Sequence, residues 1–203
     1  GYADKITVDL ATDGTLTISD NGRGIPTDPH PKFKSKSALE VILTTLHSGG
    51  KFSDEAYRTA GGLHGVGISV VNALSEYLLV EVARDRKLWR QEYNRGKAKT
   101  KLKDMGKTGN RRGTLIACRP DPEVFGAGAA FVPARVYRMA RSKAYLFRGV
   151  QIRWTCAPDL INGKDQTPTE AILHFPNGLA DFLAESLQDG PTVTPRPFAG
   201  RAK

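Results

Sequence analysis

Two alternating strands that end on a carboxylate constrain this chain more than any other stretch. Ile6, Val8 and Leu10 alternate with polar residues, Asp13-Gly14 follows, and Leu16 and Ile18 resume the alternation. Apolar residues at every second position mark a strand with one buried face, and Asp-Gly between two such runs marks a hairpin. Asp20 shares the parity of Leu16 and Ile18, so it is predicted to point toward the buried face. The chain then leaves the strand in "TISDNGRGIP", residues 17–26. A carboxylate turned toward a core loses hydration unless something donates to it. Two donors are open: an N–H of its own Asp-Asn-Gly turn, or an exocyclic amino group such as that of adenine. Gly22 and Gly24 let the backbone approach a flat ring closely.

The remaining pattern mixes helices and strands. Residues 37–47 read as a helix, with Ala38, Leu39, Ile42, Leu43 and Leu46 at helical spacing and Ser37 with Glu40 as a capping box. Residues 48–63 read as a polar, glycine-rich loop. A second helix is expected over 65–75, with Val66, Val70 and Leu74 as its stripe. Strands are predicted at 78–82, 89–93, 114–118, 150–156 and 170–175. Helices are predicted at 133–146, with Pro133 at the start, and at 178–187, with Leu179, Phe182 and Leu183 inward. Residues 97–112 read as a basic, loop-like excursion. Strands and helices without a regular βαβ alternation argue for an α+β fold: a two-layer α/β sandwich, its mixed, mostly antiparallel sheet carrying helices on one face.

Bulk properties narrow the function classes. The 203 residues suit one sizeable domain. No apolar run approaches the roughly 18 residues of a membrane-spanning helix, and no signal peptide is seen. The chain opens without Met, on Gly1-Tyr2, and reads as part of something longer. Cys118 and Cys156, the only cysteines, sit in strand-like runs and are expected as buried thiols of a reducing compartment. The net charge of +9, from 30 basic and 21 acidic residues, suggests polyanionic partners such as nucleic acid or nucleotide.

Two further motifs carry chemistry. "GGLHGVG", residues 61–67, precedes the second predicted helix. Backbone N–H groups at a helix start bind anions, and glycines let phosphate oxygens come near. No Gly-Lys-Ser/Thr follows, so this is no P-loop, and no strand leads into it as in a dinucleotide fingerprint. His64 has no second ligand at metal-binding spacing and reads as a loop residue that shapes a lid. Gly113-Thr114 opens a strand, and Thr114 shares parity with Ile116 and Cys118, which puts its hydroxyl beside the inward carboxylate.

In this order the three pieces resemble the ATP-binding site of the gyrase, heat-shock-protein-90, histidine-kinase and mismatch-repair superfamily. "DNGRGIP", "SALEVILTTLHSGGKF" and "GGLHGVGISVVNALS" resemble the B subunits of bacterial type IIA topoisomerases, over almost the whole chain. "HPKFKSKSALEVILTTLHSGGKF", "NRRGT" and "RPDPEVF" are more similar to the topoisomerase IV branch than to gyrase.

The resemblance implies a Bergerat-type ATP-binding domain over 1–188, with 189–203 as a linker or the start of a transducer domain. It implies that Asp20 binds the adenine amino group and that Thr114 joins the water linking the two. Gly24, Ile25 and Pro26 would line the base pocket, with Ile42 on the facing helix. Gly62, Leu63, His64, Gly65, Val66, Gly67 and Ile68 would wrap the triphosphate, and Lys51 would lie near it. Arg23 and Arg84 match arginines at the pocket mouth. The family's general-base Glu and its Mg²⁺-holding Asn lie on a helix expected upstream of Gly1, so neither a catalytic nor a metal residue falls in this chain. ATP and Mg²⁺ are the implied cofactors of the parent protein. Its implied partners are DNA, the topoisomerase A subunit and a second B subunit that dimerises on ATP binding. A bacterial, cytoplasmic, nucleoid-associated setting without membrane contact is implied too. The B subunit of gyrase, or a non-catalytic nucleotide-binding module, is the alternative. The basic run Lys97, Lys99, Lys101, Lys103, Arg111 and Arg112 is open to two readings, contact with a captured duplex or a solvated loop. The same holds for Arg135, Arg138 and Arg141.

Overall fold

The computed structural model describes residues 3–46, 65–161, 163, 166–187 and 193–194. The opening hairpin forms: β1 (Lys5–Leu10) and β2 (Leu16–Asp20) pair antiparallel, with Leu10 opposite Leu16, Val8 opposite Ile18 and Ile6 opposite Asp20, but the shared face is buried only at Val8, Leu10 and Leu16, while Ile18, expected to be buried, is exposed. Asp13 holds the turn by accepting from Thr15 N at 2.9 Å. Next come α1 (Ala38–Thr44), α2 (Gly67–Ala73), β3 (Ser75–Arg84), β4 (Lys87–Asn94), β5 (Lys97–Ala98), β6 (Lys103–Lys107) and β7 (Gly113–Pro120). The chain continues through α3 (Pro122–Phe125), α4 (Pro133–Leu146), β8 (Gln151–Cys156), β9 (Glu170–His174) and α5 (Leu179–Leu187).

The described strands form one sheet in the order β5-β4-β3-β7-β2-β1-β8-β9, with β6 also on β4. Every pairing is antiparallel except β1 with β8. A parallel pair needs a long crossover, and the chain between β1 and β8 supplies it. The expected sandwich is therefore present, with α1 and α4 on one sheet face. Leu39 and Leu43 of α1 pack on Leu78, Val80 and Val82 of β3 and Tyr93 of β4. Ala140 and Ala144 of α4 pack on Val8, Leu10, Ile152 and Trp154. Phe131 touches both halves of the core. Ser37 caps α1 by accepting from Glu40 N at 3.1 Å, the first half of the expected capping box, while the Glu40 carboxylate meets Gln91 Nε2 at 3.1 Å and Lys36 Nζ at 3.4 Å. Cys118 and Cys156 are buried free thiols.

Four other expectations need correction. Residues 97–112 are not a simple loop, since β5 and β6 hydrogen-bond along β4. Their side chains are exposed throughout, so no inward-outward alternation marks them in the sequence. Helix α1 ends at Thr44 rather than reaching residue 47, and Leu46 is exposed. On α2 the buried residues are Ser69 and Asn72, while Val70 and Leu74 are exposed. Asn72 donates from Nδ2 to Leu43 O at 2.9 Å, so a polar tie to the end of α1 sets that helix's rotation. On α5, Leu179, Phe182 and Leu183 are exposed rather than inward. This helix docks through Phe182 against the Tyr145 ring and Glu185 against Arg141 and the Tyr145 hydroxyl.

Candidate functional site

The site forms where β2 ends and β7 begins. Asp20, the last residue of β2, is half-buried. Its Oδ1 accepts from Gly22 N at 2.7 Å, so the turn N–H is one real partner of this carboxylate. Its other oxygen has no hydrogen bond among the described residues. The following Asn21 fixes the loop to β1: Oδ1 accepts from Asp4 N and Lys5 N, both at 3.1 Å, and Nδ2 donates to Asp4 Oδ1 at 2.6 Å. That amide holds the Asp4 carboxyl below the usual carboxylate range.

Two glycines permit the crossing of this loop with β7. Gly24 has φ +76°, and a Cβ there would lie 2.9 Å from Val82 Cγ1 and 3.1 Å from Ala83 O. Gly113 has φ +118°, and its Cβ would lie 1.9 Å from Asp20 O. A side chain at Gly113 would thus occupy the space of the Asp20 carbonyl. With that space clear, Thr114 is brought against the loop, where its Oγ1 accepts from Ile25 N at 3.3 Å. Thr114 is buried, 8% exposed. A hydroxyl that accepts in this way still has its proton to donate. Asp20 and Thr114 therefore form an edge with one carboxylate acceptor and one hydroxyl donor to offer. Both also reach a cavity of about 230 Å³ whose other walls include Lys5, Arg111 and Arg112.

Arg84 closes the loop from β3, donating from Nη1 to Gly24 O at 3.2 Å and pairing through Nε with Asp85 at 3.3 Å. Arg23 is exposed. Ile25 and Ile68 pack on the core under β3, Ile42 is half-buried on α1, and Pro26 is exposed. Gly65, Val66 and Gly67 stand at the start of α2, which packs against α1. Lys51, Gly62, Leu63 and His64 lie outside the described residues. The structure thus joins Asp20, Gly24, Ile25, Thr114 and Arg84 directly, and sets Ile42 and Ile68 on the neighbouring helices. Asn21 is the residue that sequence reasoning overlooked. Its position after a strand-ending Asp was the available signal, since Asn side chains bond nearby backbone groups in turns.

The family described as histidine kinase-, DNA gyrase B- and HSP90-like ATPase matches residues 1–121. This chain belongs to that ATPase family. Among curated relatives, the B subunit of DNA topoisomerase 4 from Caulobacter vibrioides is 57% identical, over 99% of this chain and 28% of its own length. Its counterpart from Bartonella bacilliformis is 51% identical, over 100% of this chain and 29% of its own. The B subunit of DNA gyrase from Thermotoga maritima is 45% identical over 90% of this chain and 27% of its own. This ATPase-family chain therefore spans less than a third of the relatives it matches. Among solved structures, the 43K ATPase domain of Thermus thermophilus gyrase B in complex with an aminocoumarin superposes with a TM-score of 0.74 and 37% identity, covering 94% of this chain and 45% of that one.

The basic residues of the ATPase-family chain do not form the single group that sequence order implies. Arg111 pairs with Glu81 at 3.4 Å and lines the cavity near Lys5, while Lys97–Lys103 runs along the edge beside β4. Arg141 is engaged with Glu185 at 2.7 Å, and Arg138 Nε donates to Ala134 O. No described helix is long and apolar enough to cross a membrane.

Proposed function

We propose that this chain is the nucleotide-binding region of the B subunit of an ATP-dependent type II DNA topoisomerase, of the topoisomerase IV kind. The observation that carries the reading is the Asp20–Thr114 edge, built into a chain 57% identical to the B subunit of a topoisomerase 4. The free oxygen of Asp20 accepts from the adenine amino group, and Thr114 donates to the water between them. Gly24, Ile25 and Pro26 line the base, with Ile42 facing it from α1. Residues 62–68 and Lys51 hold the triphosphate, and Arg23 and Arg84 flank the mouth. The close approach at Gly24, where a Cβ would collide with Val82, seats the loop directly against β3 beside Thr114.

Among the described residues no cluster of His, Cys, Asp or Glu is suited to a metal ion. In this reading the metal-holding Asn and the general-base Glu come from a helix of the parent upstream of Gly1. Residues 1–188 form the ATP-binding domain, and 189–203 lead toward a transducer. In the parent, nucleotide binding orders the lid and joins two B subunits around a DNA segment. The A subunit cuts the gate duplex, and hydrolysis resets the cycle. Such a protein works in the bacterial cytoplasm, at the nucleoid.

Two assays test this. The full-length protein with its A subunit should relax and decatenate DNA only with ATP; ATP-driven supercoiling would assign it to gyrase, and activity without ATP would overturn the reading. The isolated 203-residue chain should release no phosphate at the parent's rate, because loss of a general base costs about 10²–10⁴ in rate. Phosphate release matching the parent would place the base inside this chain.

A further inference from the structure

Among the described residues two polar side chains are 0% exposed, Gln91 on β4 and Asn72 on α2. Both reach α1. Gln91 donates through Nε2 to Glu40 in the first turn of that helix at 3.1 Å and to Thr100 O at 3.0 Å, and its Oε1 accepts from the Tyr93 hydroxyl at 2.8 Å. Both ends of that amide are therefore satisfied. Asn72 differs. Its Nδ2 donates to Leu43 O at 2.9 Å, in the last turn of α1, but its Oδ1 is buried with no hydrogen-bond partner among the described residues.

The local structure explains what the donor does. Helix α1 has seven residues, and a helix that short owes its place to tertiary contacts. The last carbonyls of a helix lack intrahelical donors. The last turn of α1 carries no basic side chain, and the C-cap, Thr45, is extended rather than left-handed. Asn72 caps this end from a different helix. Asn72 is itself pinned, since its backbone O accepts from Gly96 N at 3.0 Å in the turn after β4. A Cβ on Gly96 would lie 3.3 Å from the Cα of Ala73, the next residue of α2. One residue thus fastens α2 to the turn below it and α1 to α2. Ser69, the other buried residue of α2, donates within its own helix, to Val66 O at 3.0 Å.

Stability alone does not account for an amide here. A buried acceptor without a partner costs at least about what one neutral hydrogen bond returns. A leucine at position 72 would leave no such orphan in the side chain. What the amide supplies is geometry: a hydrogen bond has a preferred length and direction, and apolar contact has neither.

We infer that Asn72 is a positioning residue that keeps the two halves of the nucleotide site in register. This rests on the nucleotide-binding reading and deepens it. In that reading α1 sets Ile42 against the base, and residues 65–68 lead into α2 from the triphosphate. Asn72 ties the end of the first helix to the body of the second. A ligand that reaches both halves gains from their fixed separation, because its second contact is made without further ordering. A ligand that reaches the base half alone gains nothing from it.

The test compares two ligands on the full-length protein: a non-hydrolysable ATP analogue, followed by calorimetry, and adenosine, followed by ligand-detected NMR titration. Asn72→Leu should raise the Kd of the analogue roughly tenfold or more while changing that of adenosine by less than about twofold, and its urea unfolding should stay close to that of the parent. Asn72→Ala carries the same comparison if the larger side chain is not accommodated. Gln91→Met is the reference, because it loosens the other end of α1 without touching α2. It should weaken both ligands alike. Equal weakening of both ligands in the Asn72 variants would reduce the residue to a support of α1 and overturn the proposal. An unchanged Kd for the analogue would overturn it too, as would the same split between ligands in Gln91→Met. Failure of the unsubstituted protein to bind the analogue would overturn the nucleotide-binding reading instead. If the parent binds the analogue and no split appears in the variants, this inference alone fails.

Discussion

A methyl group at Gly113 would sit 1.9 Å from Asp20 O on a backbone at φ +118°. Neither the strand end nor the loop can move without breaking β2–β7 pairing. Gly113→Ala should therefore cost more than about 4 kcal/mol, the range reserved for strain at special backbone positions. Urea unfolding would measure it, and a loss under about 1 kcal/mol would show a looser crossing than the close approach requires. Thr114→Val keeps the shape of the side chain and removes only the hydroxyl that Ile25 N reaches. It should cost about 1 kcal/mol of stability, and in the proposed site it should also weaken nucleotide binding. From the sequence, Asp20 and Thr114 were both legible through strand parity. Gly113 was visible only as half of a common Gly-Thr pair. What it must avoid is the carbonyl of Asp20, far away along the chain, and no local pattern reports that.

Among elements, α2 and the β3–β7 end of the sheet show how polar contacts overrule apolar patterns. The Val66-Val70-Leu74 stripe predicted one buried face for α2, yet the tie from Asn72 to Leu43 O turns Ser69 and Asn72 inward. An Asn inside a helical stripe is ambiguous until its partner is known. β5 and β6 were missed because an edge strand with both faces wet has no period of two to detect. The start of α3 rests on a further pair. Asp121, 2% exposed, accepts from Arg95 Nε at 2.6 Å and caps α3 through Glu123 N at 3.0 Å. The Arg95 guanidinium, followed by that cap, holds its carboxyl below the usual range. A depressed carboxylate contributes stability above the ordinary carboxylate pKa, and that contribution fades as pH falls through the folded value. Thermal melts from about pH 6 down to about pH 2 should therefore show Asp121→Asn less stable than the parent at the upper end, with the difference shrinking toward the lower end. A constant difference across the series would separate Asp121 from the acid transition.

For the molecule as a whole, the hairpin, the helical spacing of α1, the proline at the start of α4 and the mixture of strands and helices without a regular βαβ alternation were enough to indicate a sandwich with helices on one face. The parallel contact of β1 with β8 was not foreseeable, because it joins Lys5–Leu10 to Gln151–Cys156 across most of the intervening domain. Nor was the meeting of residues 35–37 with 98–102, which depends on how β4 carries its edge past α1. The nucleotide-binding assignment stands or falls on the carboxylate at the end of β2. The decisive experiment is calorimetry of the full-length protein with a non-hydrolysable ATP analogue, run beside Asp20→Asn. Losing a hydrogen bond to a charged group costs about 1.5–3 kcal/mol, so the Kd should rise roughly 10- to 100-fold. An unchanged Kd in a folded Asp20→Asn protein would remove the adenine anchor, and would return Asp20 to the single role of capping its own turn.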